Sequence, residues 1–205
     1  MKIKKKFNIN YWLRKTYTSN LYQFFFSNNQ LKKKVFTSIY KSNHWAQSDN
    51  LSGEIVSVSG PGSNVNQEGF LNLKENFEKI FKDFKIKSIL DMPCGDFLWL
   101  NEVIKNKNID YLGIDIVDEL INENKIKYKK ENIHFECKDI VEFIPLRQFD
   151  LILIRDLFIH LKNSDILTII NNLKKMDFKY LLINSNPIKK NEDVNVGQHR
   201  KVNLL

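Results

Sequence analysis

Segment 88–97, with the sequence SILDMPCGDF, constrains the fold more than any other part of this chain of 205 residues. A short apolar run ends on Asp91, and a turn with one glycine, Gly95, leads into a new amphipathic segment. In open α/β sheets, ligands bind at such a strand–turn–helix junction, because the carboxyl end of the strand opens into a crevice. Gly95 allows a ligand to approach the backbone closely, and the Asp91 carboxylate can accept hydrogen bonds from it. We therefore expect a site for a nucleotide-like ligand at this turn.

Strand-like and helix-like segments alternate beyond residue 50. Near-continuous apolar runs predict strands at 87–92, 110–116, 133–137, 149–155 and 179–185. The intervening segments predict helices at 66–84, 98–105, 118–130 and 162–176. This alternation is typical of a mostly parallel sheet with helices on both faces. The predicted fold class is therefore α/β.

Cysteine content and hydropathy exclude several classes of protein. Two cysteines, Cys94 and Cys137, are too few for a disulfide framework or a four-cysteine zinc site, so we predict no metal and a reducing environment. No apolar run approaches the roughly 20 residues of a membrane span. The basic start of the chain is not followed by the apolar core of a signal peptide. These features predict a cytoplasmic protein without stable membrane insertion.

Positive charge is concentrated at the beginning of the chain. Residues 1–48 contain ten Lys and Arg residues, no acidic residue and many aromatic residues; the total charge of +8 less this +10 leaves −2 for 49–205. We predict a helical basic extension over 1–48 and the α/β domain over 49–205. The extension has three interpretations: an arm whose aromatic side chains cover the domain, a surface for nucleic acid or an anionic membrane, or a source of positive potential for an acidic small substrate.

An acidic residue follows each of four predicted strands. These residues are Asp91, Asp115, Asp139 and Asp156. Asp115 follows the glycine turn by about 20 residues, where a carboxylate can accept hydrogen bonds from both hydroxyls of a ribose. Asp139 and the next residue, Ile140, are suited to the amine and the ring face of an adenine. The alternative for each acid is that it caps the helix that follows.

Four motifs carry a resemblance to a known family: SGPGS at 59–63, DMPCGDFLW at 91–99, GIDIV at 113–117 and RDLFIHL at 155–161. Over roughly residues 37–205 the sequence resembles class I S-adenosylmethionine-dependent methyltransferases, which have a seven-stranded Rossmann-like sheet. It is most similar to a bacterial branch found among enzymes that modify polysaccharides or small metabolites. The resemblance implies S-adenosylmethionine as the cofactor. The cofactor-binding residues that it implies are Asp91, Pro93, Cys94, Gly95, Asp115, Ile116, Asp139, Ile140 and Arg155.

The composition of the turn at 94–97 argues against a dinucleotide. A pyrophosphate requires a turn with three glycines, because the backbone must approach two phosphates. This turn has one glycine and an additional acid, Asp96, which repels a pyrophosphate and tolerates a sulfonium cation. The sequence also lacks the Gly-Lys-Ser/Thr of a phosphate-binding loop.

His160 and Asp156 are the candidate catalytic residues. A hydroxyl acceptor must lose a proton during methyl transfer, and a histidine is suited to accept it near pH 7. The spacing of four residues places the two side chains on one face of a helical turn, where the acid can orient the imidazole. The alternative is that Asp156 caps the helix and His160 packs in the protein or contacts the cofactor.

A loop before the first strand can cover the cofactor. We expect Trp45, together with Gly60, Gly62 and Ser63 of the SGPGS motif, to form this lid on the substrate side. Arg155 has two interpretations beyond the cofactor: it binds an anionic acceptor, or it pairs with a neighbouring acid.

Only twenty residues follow the last predicted strand, so we expect the sheet to lack the final two strands of the family. The function that the resemblance implies is methyl transfer to a small hydroxyl or phosphate-type acceptor, such as a sugar, in surface polysaccharide (capsule or lipooligosaccharide) biosynthesis. One alternative is an RNA-modifying methyltransferase that uses the basic extension. Another is a truncated cofactor-binding relic without catalysis. The sequence leaves the oligomeric state open.

Overall fold

The computed structural model describes residues 28–46 and 56–205. The helices are α1 (Asn28–Lys41), α2 (Glu68–Asp83), α3 (Leu98–Ile104), α4 (Asp118–Lys127) and α5 (Asn163–Leu173). The strands are β1 (Ser88–Asp91), β2 (Asp110–Asp115), β3 (Ile133–Cys137), β4 (Phe149–Ile154) and β5 (Phe178–Ile183). Two 3₁₀ turns cover Pro61–Ser63 and Phe158–His160. Each strand and helix predicted between residues 66 and 185 is present, with ends shifted by at most three residues.

The strands form one parallel sheet in the order β3-β2-β1-β4-β5. The predicted α/β class is therefore confirmed. The chain runs from β1 outward through β2 and β3, then returns to β4 on the other side of β1. Such a reversal of strand order opens a crevice at the carboxyl ends of the two central strands. The sheet thus places the site at the ends of β1 and β4.

Both faces of the sheet are buried, as expected for near-continuous apolar strands. Neighbouring residues of a strand point to opposite faces, and the two central residues of β1 illustrate this. Ile89 packs in one core with aromatic residues of α2 and α3, including Phe77 and Trp99. Leu90 packs in the other core with residues of α5, including Ile166. The sheet is thereby held between two layers of helices.

Helix α1 packs on the domain through an apolar face. Its residues Leu31, Val35 and Ile39 are buried together with Val196 from the end of the chain. Over residues 28–41, the extension therefore covers the domain. The domain boundary at residue 48 stays a prediction. The three interpretations of the extension also rested on basic and aromatic residues within 1–27. These residues lie outside the described part of the chain, and so do residues 47–55.

A buried lysine fastens α1 to the sheet. The Lys32 ammonium lies 3.0 Å from Asp139 Oδ2 and 3.8 Å from Asp165 Oδ1, and its side chain is 3% exposed. Two other lysines of α1 form exposed ion pairs, Lys33 with Asp118 and Lys41 with Glu119. A buried charge is costly unless it is paired, whereas exposed pairs contribute little. The attachment of α1 to the domain therefore depends more on the buried pairs of Lys32 than on the exposed pairs of the other two lysines.

Replacing Lys32 by methionine is expected to lower the free energy of unfolding by about 3 kcal/mol, because Asp139 and Asp165 are left without their shared cation. Lys33→Met is the matched control, since it removes an exposed pair of the same helix and should cost at most about 1 kcal/mol. Urea unfolding followed by circular dichroism measures both. Equal midpoints for the two variants would contradict the structural role assigned to Lys32.

The segment after β5 folds back over the carboxyl ends of the strands. The Asn186 N–H donates to the Val202 carbonyl at 2.7 Å, and the Gly197 N–H donates to the His160 carbonyl at 2.9 Å. Val196 and Val202 are buried. Between residues 184 and 205 no further strand forms, in agreement with the expectation from the sequence. In the described ranges, no helix combines the length and the apolar character that a bilayer crossing requires.

Candidate cofactor and active site

A cavity lies at the carboxyl ends of the strands, where ligands bind in open α/β sheets. Most residues predicted for the site line it. They are Trp45, Ser63, Asp91, Pro93, Cys94, Gly95, Asp115, Ile116, Ile140, Arg155, Asp156 and His160. A second cavity adjoins the first at Trp45, Ser63, Asp156 and His160, and it is lined by Gly60 and Gly62. Of the predicted residues, Asp139 lines neither of these two cavities.

The turn after β1 requires glycine because of its contact with the 57–60 loop. Gly95 has a φ of +52°, and a Cβ atom there would lie 2.3 Å from Ser59 Oγ. The same Oγ accepts a hydrogen bond from the Asp96 N–H at 2.8 Å. The expectation that Gly95 is needed for the approach of a ligand is therefore incomplete, since the protein itself occupies one side of this glycine.

Asp96 has a local structural role. Its carboxylate accepts hydrogen bonds from the Val58 N–H at 2.9 Å and the Leu98 N–H at 3.2 Å. Asp96 thus joins the turn to the loop and to the start of α3, and it does not line the cavity. The protein itself therefore occupies the carboxylate that was expected to repel a pyrophosphate, and the single glycine of the turn still disfavours that ligand.

Asp115 ends β2 and is 8% exposed, with its carboxylate toward the cavity. Its Oδ1 accepts a hydrogen bond from the Val117 N–H at 3.1 Å, and its Oδ2 accepts one from the Gly95 N–H at 3.3 Å. Burial raises the pKa of this carboxyl to about 6, although the two hydrogen bonds act to lower it. Each carboxylate oxygen has a second lone pair, so Asp115 can still accept two hydrogen bonds from a ribose.

Asp91 ends β1 and is 2% exposed. The Tyr111 hydroxyl donates to its Oδ2 at 2.9 Å. Burial raises the pKa of Asp91 to about 7, whereas Tyr111 and the charge of Arg155 oppose the rise. A nearby cation would favour the ionised form. Asp91 is therefore suited to the positively charged methionine part of a cofactor.

Cys94 is buried in the floor of the cavity, and burial raises the pKa of its thiol well above the usual value. A neutral thiol is a poor nucleophile. Cys94 therefore acts as a small apolar residue beside the turn. Among the residues that the structure describes, no cluster of three or more His, Cys, Asp or Glu side chains is arranged to hold a metal ion.

Asp139 contacts α1 instead of the cavity. Its Oδ2 pairs with Lys32, and its Oδ1 accepts the Val141 N–H at 3.0 Å. The next residue, Ile140, does line the cavity, where it can pack against an adenine ring. The structure thus separates the two residues that were predicted to frame the adenine.

Arg155 connects the lid to the ends of the strands. Its Nη2 donates to the Gly62 carbonyl at 2.5 Å and lies 3.5 Å from Asp156 Oδ2. Its guanidinium lies over the Trp99 ring, 4.8 Å from the centroid. Of the two interpretations of Arg155 beyond the cofactor, the structure shows the pairing with a neighbouring acid. Its contact with Gly62 holds the SGPGS loop against the site, and the role of this loop as a lid stays a prediction.

Asp156 does not orient His160, contrary to the sequence prediction. Asp156 has a φ of +56°, so the helical turn assumed for residues 156–160 does not form. Asp156 exchanges two hydrogen bonds with the side chain of Asn184, after β5: the Asp156 backbone N–H donates to Asn184 Oδ1 at 3.0 Å, and Asn184 Nδ2 donates to Asp156 Oδ1 at 2.8 Å. The Asp156 carboxylate remains in the wall of the cavity and influences His160 only through its charge.

His160 lies where the two cavities meet. Its Nδ1 is 3.0 Å from the Gln198 carbonyl, and its ring stacks on Trp45 with the centroids 4.8 Å apart. A carbonyl only accepts hydrogen bonds, so Nδ1 carries the proton and Nε2 has the free lone pair. Burial lowers the pKa of His160 to about 4, which keeps the ring neutral at physiological pH. The neutral ring can accept a proton through Nε2.

Sequence reasoning missed several residues of the site. Phe36 and Tyr40 of α1 line the cofactor cavity, together with Ser59 and Trp99. Phe36 and Tyr40 were noticed only as aromatic residues of the extension. Their spacing of four residues places them on one side of a helix, but the sequence does not show which surface that side meets.

The site has a carboxylate at the end of each of two neighbouring strands and a cavity at the reversal of strand order. Both features agree with the resemblance to class I S-adenosylmethionine-dependent methyltransferases. Residues 89–176 match the family described as "Methyltransferase domain". The predicted class of enzyme and its cofactor, S-adenosylmethionine, are thereby confirmed for this segment. The polysaccharide branch of the family stays a prediction.

One curated relative is malonyl-[acyl-carrier protein] O-methyltransferase 2 from Ilyobacter polytropus. It is 31% identical over 94 residues, which make up 44% of this chain and 33% of the relative. The chain therefore spans about a third of the length of this relative.

Solved methyltransferase structures resemble this chain at low sequence identity. N-methyltransferase NodS from Bradyrhizobium japonicum WM9, in complex with S-adenosyl-L-homocysteine, is 15% identical with a TM-score of 0.47, covering 68% of this chain and 67% of that chain. An S-adenosylmethionine-dependent methyltransferase from Clostridium acetobutylicum is 16% identical with a TM-score of 0.47, covering 57% of this chain and 51% of that chain.

The affinity for S-adenosylmethionine is expected to fall as the pH is lowered from 8 to 5. Without ligand, Asp91 and Asp115 have pKa values of about 7 and about 6, both raised by burial. A sulfonium cation and donating hydroxyls favour the ionised carboxylates, so binding is strongest above pH 7. Below its pKa, each carboxyl weakens binding by up to about tenfold per pH unit. Calorimetry at several pH values measures this, with Asp91→Asn expected to flatten the upper part of the curve; a constant affinity would contradict the assignment.

Proposed function

We propose that this protein transfers the methyl group of S-adenosylmethionine to a small hydroxyl or phosphate-type acceptor, in the biosynthesis of a surface polysaccharide. The observation that carries the proposal is one continuous site. The carboxylates of Asp91 and Asp115 line the first cavity, and the neutral imidazole of His160 lies where the second cavity begins. The polysaccharide role rests on the resemblance of the four motifs alone.

Asp115 would hold S-adenosylmethionine by accepting hydrogen bonds from its ribose hydroxyls, and Asp91 would face its methionine part. Ile116 and Ile140 supply apolar surface on the adenine side. The bound cofactor supplies an electrophilic methyl group on a sulfonium sulfur. Since methyl transfer is a displacement at carbon, most of the catalysis lies in the alignment of the acceptor with this methyl group.

The acceptor approaches from the second cavity, between Trp45, His160 and the SGPGS loop. From there, the acceptor oxygen would receive the methyl group that the bound cofactor would supply, and the bonding pair of the carbon–sulfur bond would be left on sulfur. For a hydroxyl acceptor, the proton moves to Nε2 of His160. Because Nδ1 keeps its hydrogen bond to the Gln198 carbonyl, the ring is oriented before the acceptor arrives.

The ion pairs of α1 weigh against an RNA substrate. Lys32, Lys33 and Lys41 each pair with a carboxylate of the domain. Binding to nucleic acid depends on cations that can reach phosphates and release their counterions. In residues 28–41, these three lysines are engaged within the protein instead.

The proposed function is tested in two stages with the full chain. Calorimetry with S-adenosylmethionine comes first, and absence of binding would overturn the proposal. Radiolabelled S-adenosylmethionine is then offered with pairs of methyl glycosides and the corresponding sugar phosphates. Transfer of label to either member of a pair supports the proposal and identifies the acceptor group. Binding without transfer to any member favours the non-catalytic alternative, and RNA binding that falls steeply with salt favours the RNA enzyme.

A further inference from the structure

We propose that residues 195–202 form a positioning element for His160, and that Arg200 is the positioning residue that holds this element in place. The inference rests on the proposed function in one respect, because it gives the orientation of His160 a catalytic purpose. The contacts themselves are independent of any substrate.

Backbone hydrogen bonds join this segment to both sides of His160. The Gly197 N–H donates to the His160 carbonyl at 2.9 Å, and the Arg200 N–H donates to the Ile159 carbonyl at 3.0 Å. Between these two bonds, the Gln198 carbonyl accepts the hydrogen bond of His160 Nδ1. The ring and its own backbone are therefore held by one short stretch of chain.

The Arg200 side chain fixes this stretch to the 3₁₀ turn at Phe158–His160. Its Nη2 donates to the Leu161 carbonyl at 2.9 Å, and its Nη1 donates to the Glu192 carbonyl. Arg200 is 8% exposed, whereas the acid nearest to it, Asp193, is largely exposed and 3.9 Å away. The two carbonyls are therefore the main partners of the guanidinium. A buried guanidinium that makes directed hydrogen bonds at both ends is suited to setting a distance between two segments.

A second support comes from α1. Gly197 has a φ of +81°, and a Cβ atom there would lie 2.4 Å from Val35 Cγ1. The segment is thus packed directly on the helix that also supplies Phe36 and Tyr40 to the cofactor cavity. These contacts give the Gln198 carbonyl a fixed position relative to both the cofactor site and His160.

The consequence is a single tautomer of His160. With Nδ1–H bonded to Gln198, Nε2 keeps its lone pair for the acceptor proton. The other groups that act on the ring are His199, whose ring centroid is 5.8 Å away, His44 and Asp156. The charges of His199 and His44 lower the pKa of His160, and that of Asp156 raises it, whereas Nδ1 has its hydrogen bond with the Gln198 carbonyl.

The experiment measures the tautomer and the titration of His160 by nitrogen-15 NMR on the full chain, with the His160 signals assigned from a His160→Gln sample. In the wild type we expect the Nδ1–H tautomer and a neutral ring down to a pKa of about 4. In Arg200→Lys, one ammonium cannot hold both carbonyls, so we expect a mixture of tautomers. The weakened hydrogen bond to Gln198, which favours the protonated ring, should also lower the pKa of His160 further. The affinity for S-adenosylmethionine should stay within about twofold, because Arg200 does not line the cofactor cavity.

The matched control is Lys201→Met, which changes an exposed neighbour and should leave the tautomer and the pKa unchanged. The proposal is overturned if Arg200→Lys behaves like the wild type, or if the control shifts His160 equally. If Arg200→Lys does not fold, the wild type decides alone, since an Nε2–H tautomer there contradicts the geometry. A wild type that fails to bind S-adenosylmethionine refutes the proposed function without affecting the tautomer result.

Discussion

Replacing Asp115 by asparagine is expected to weaken the binding of S-adenosylmethionine by about 10- to 100-fold. A hydrogen bond to a charged group contributes about 1.5–3 kcal/mol, and each 1.4 kcal/mol changes the dissociation constant tenfold. Asparagine keeps the shape of the side chain but offers one acceptor oxygen and no charge. The two hydroxyls of the ribose then cannot both donate to residue 115. Calorimetry measures the loss, and a thermal melt shows whether the contacts to Val117 and Gly95 still support the fold.

Asp118→Asn is the control for this prediction. Asp118 begins α4 three residues after Asp115, and its carboxylate forms an exposed pair with Lys33. Its removal tests whether the general loss of a negative charge near the site matters. The affinity should change by no more than about twofold, because exposed pairs contribute at most about 1 kcal/mol. Equal losses in the two variants would show that Asp115 acts through the overall potential and not through a direct contact.

The strands were predictable because local sequence determines them. An apolar run such as Phe149–Ile154 has to be buried on both faces, and its burial in the parallel sheet follows from that. The same reasoning placed Asp91 and Asp115 correctly, since the residue at the end of a central strand must lie at the edge where the crevice opens.

The relation of Asp156 to His160 was not predictable from their spacing. The spacing of four residues places two side chains together only if the backbone between them is helical. Asp156 instead has a positive φ. Its carboxylate and its backbone N–H are both hydrogen-bonded to Asn184, which lies 28 residues away in the sequence. The partner of His160 is a backbone carbonyl 38 residues away. No side-chain pattern marks a backbone carbonyl, so this contact has no sequence signal.

The contribution of α1 to the site was unpredictable for a similar reason. The basic and aromatic residues of the extension are consistent with several partners when they are read alone. The structure shows that Lys32 pairs with Asp139, which had been interpreted as an adenine contact. This long-range ion pair therefore changed the interpretation of both Lys32 and Asp139. The helix that carries Lys32 also contributes Phe36 and Tyr40 to the cavity wall.

Replacing His160 by glutamine is expected to lower kcat for a hydroxyl acceptor by about 10²-fold, the lower end of the usual contribution of a general base, because a pKa of about 4 makes the ring a weak base. Glutamine can keep a hydrogen bond to the Gln198 carbonyl, but it cannot take up the acceptor proton. Asp91 and Asp115, which we expect to hold the cofactor, remain in place, so the dissociation constant of S-adenosylmethionine should change little. Transfer of radiolabel to the acceptor identified among the glycosides and sugar phosphates measures kcat.

The pH profile and a control separate this role from a structural one. The wild-type rate should be independent of the state of His160 above about pH 5 and should fall near its pKa of about 4, because burial disfavours the imidazolium. Any loss of rate at a pH above this value is then due to protonation of Asp91 and Asp115, the carboxyls expected to bind the cofactor. That loss should appear as a higher KM for S-adenosylmethionine. His134→Gln, on the exposed side of β3, should leave kcat and the profile unchanged. If His160→Gln retains the wild-type kcat, proton transfer does not pass through His160, and alignment alone accounts for catalysis.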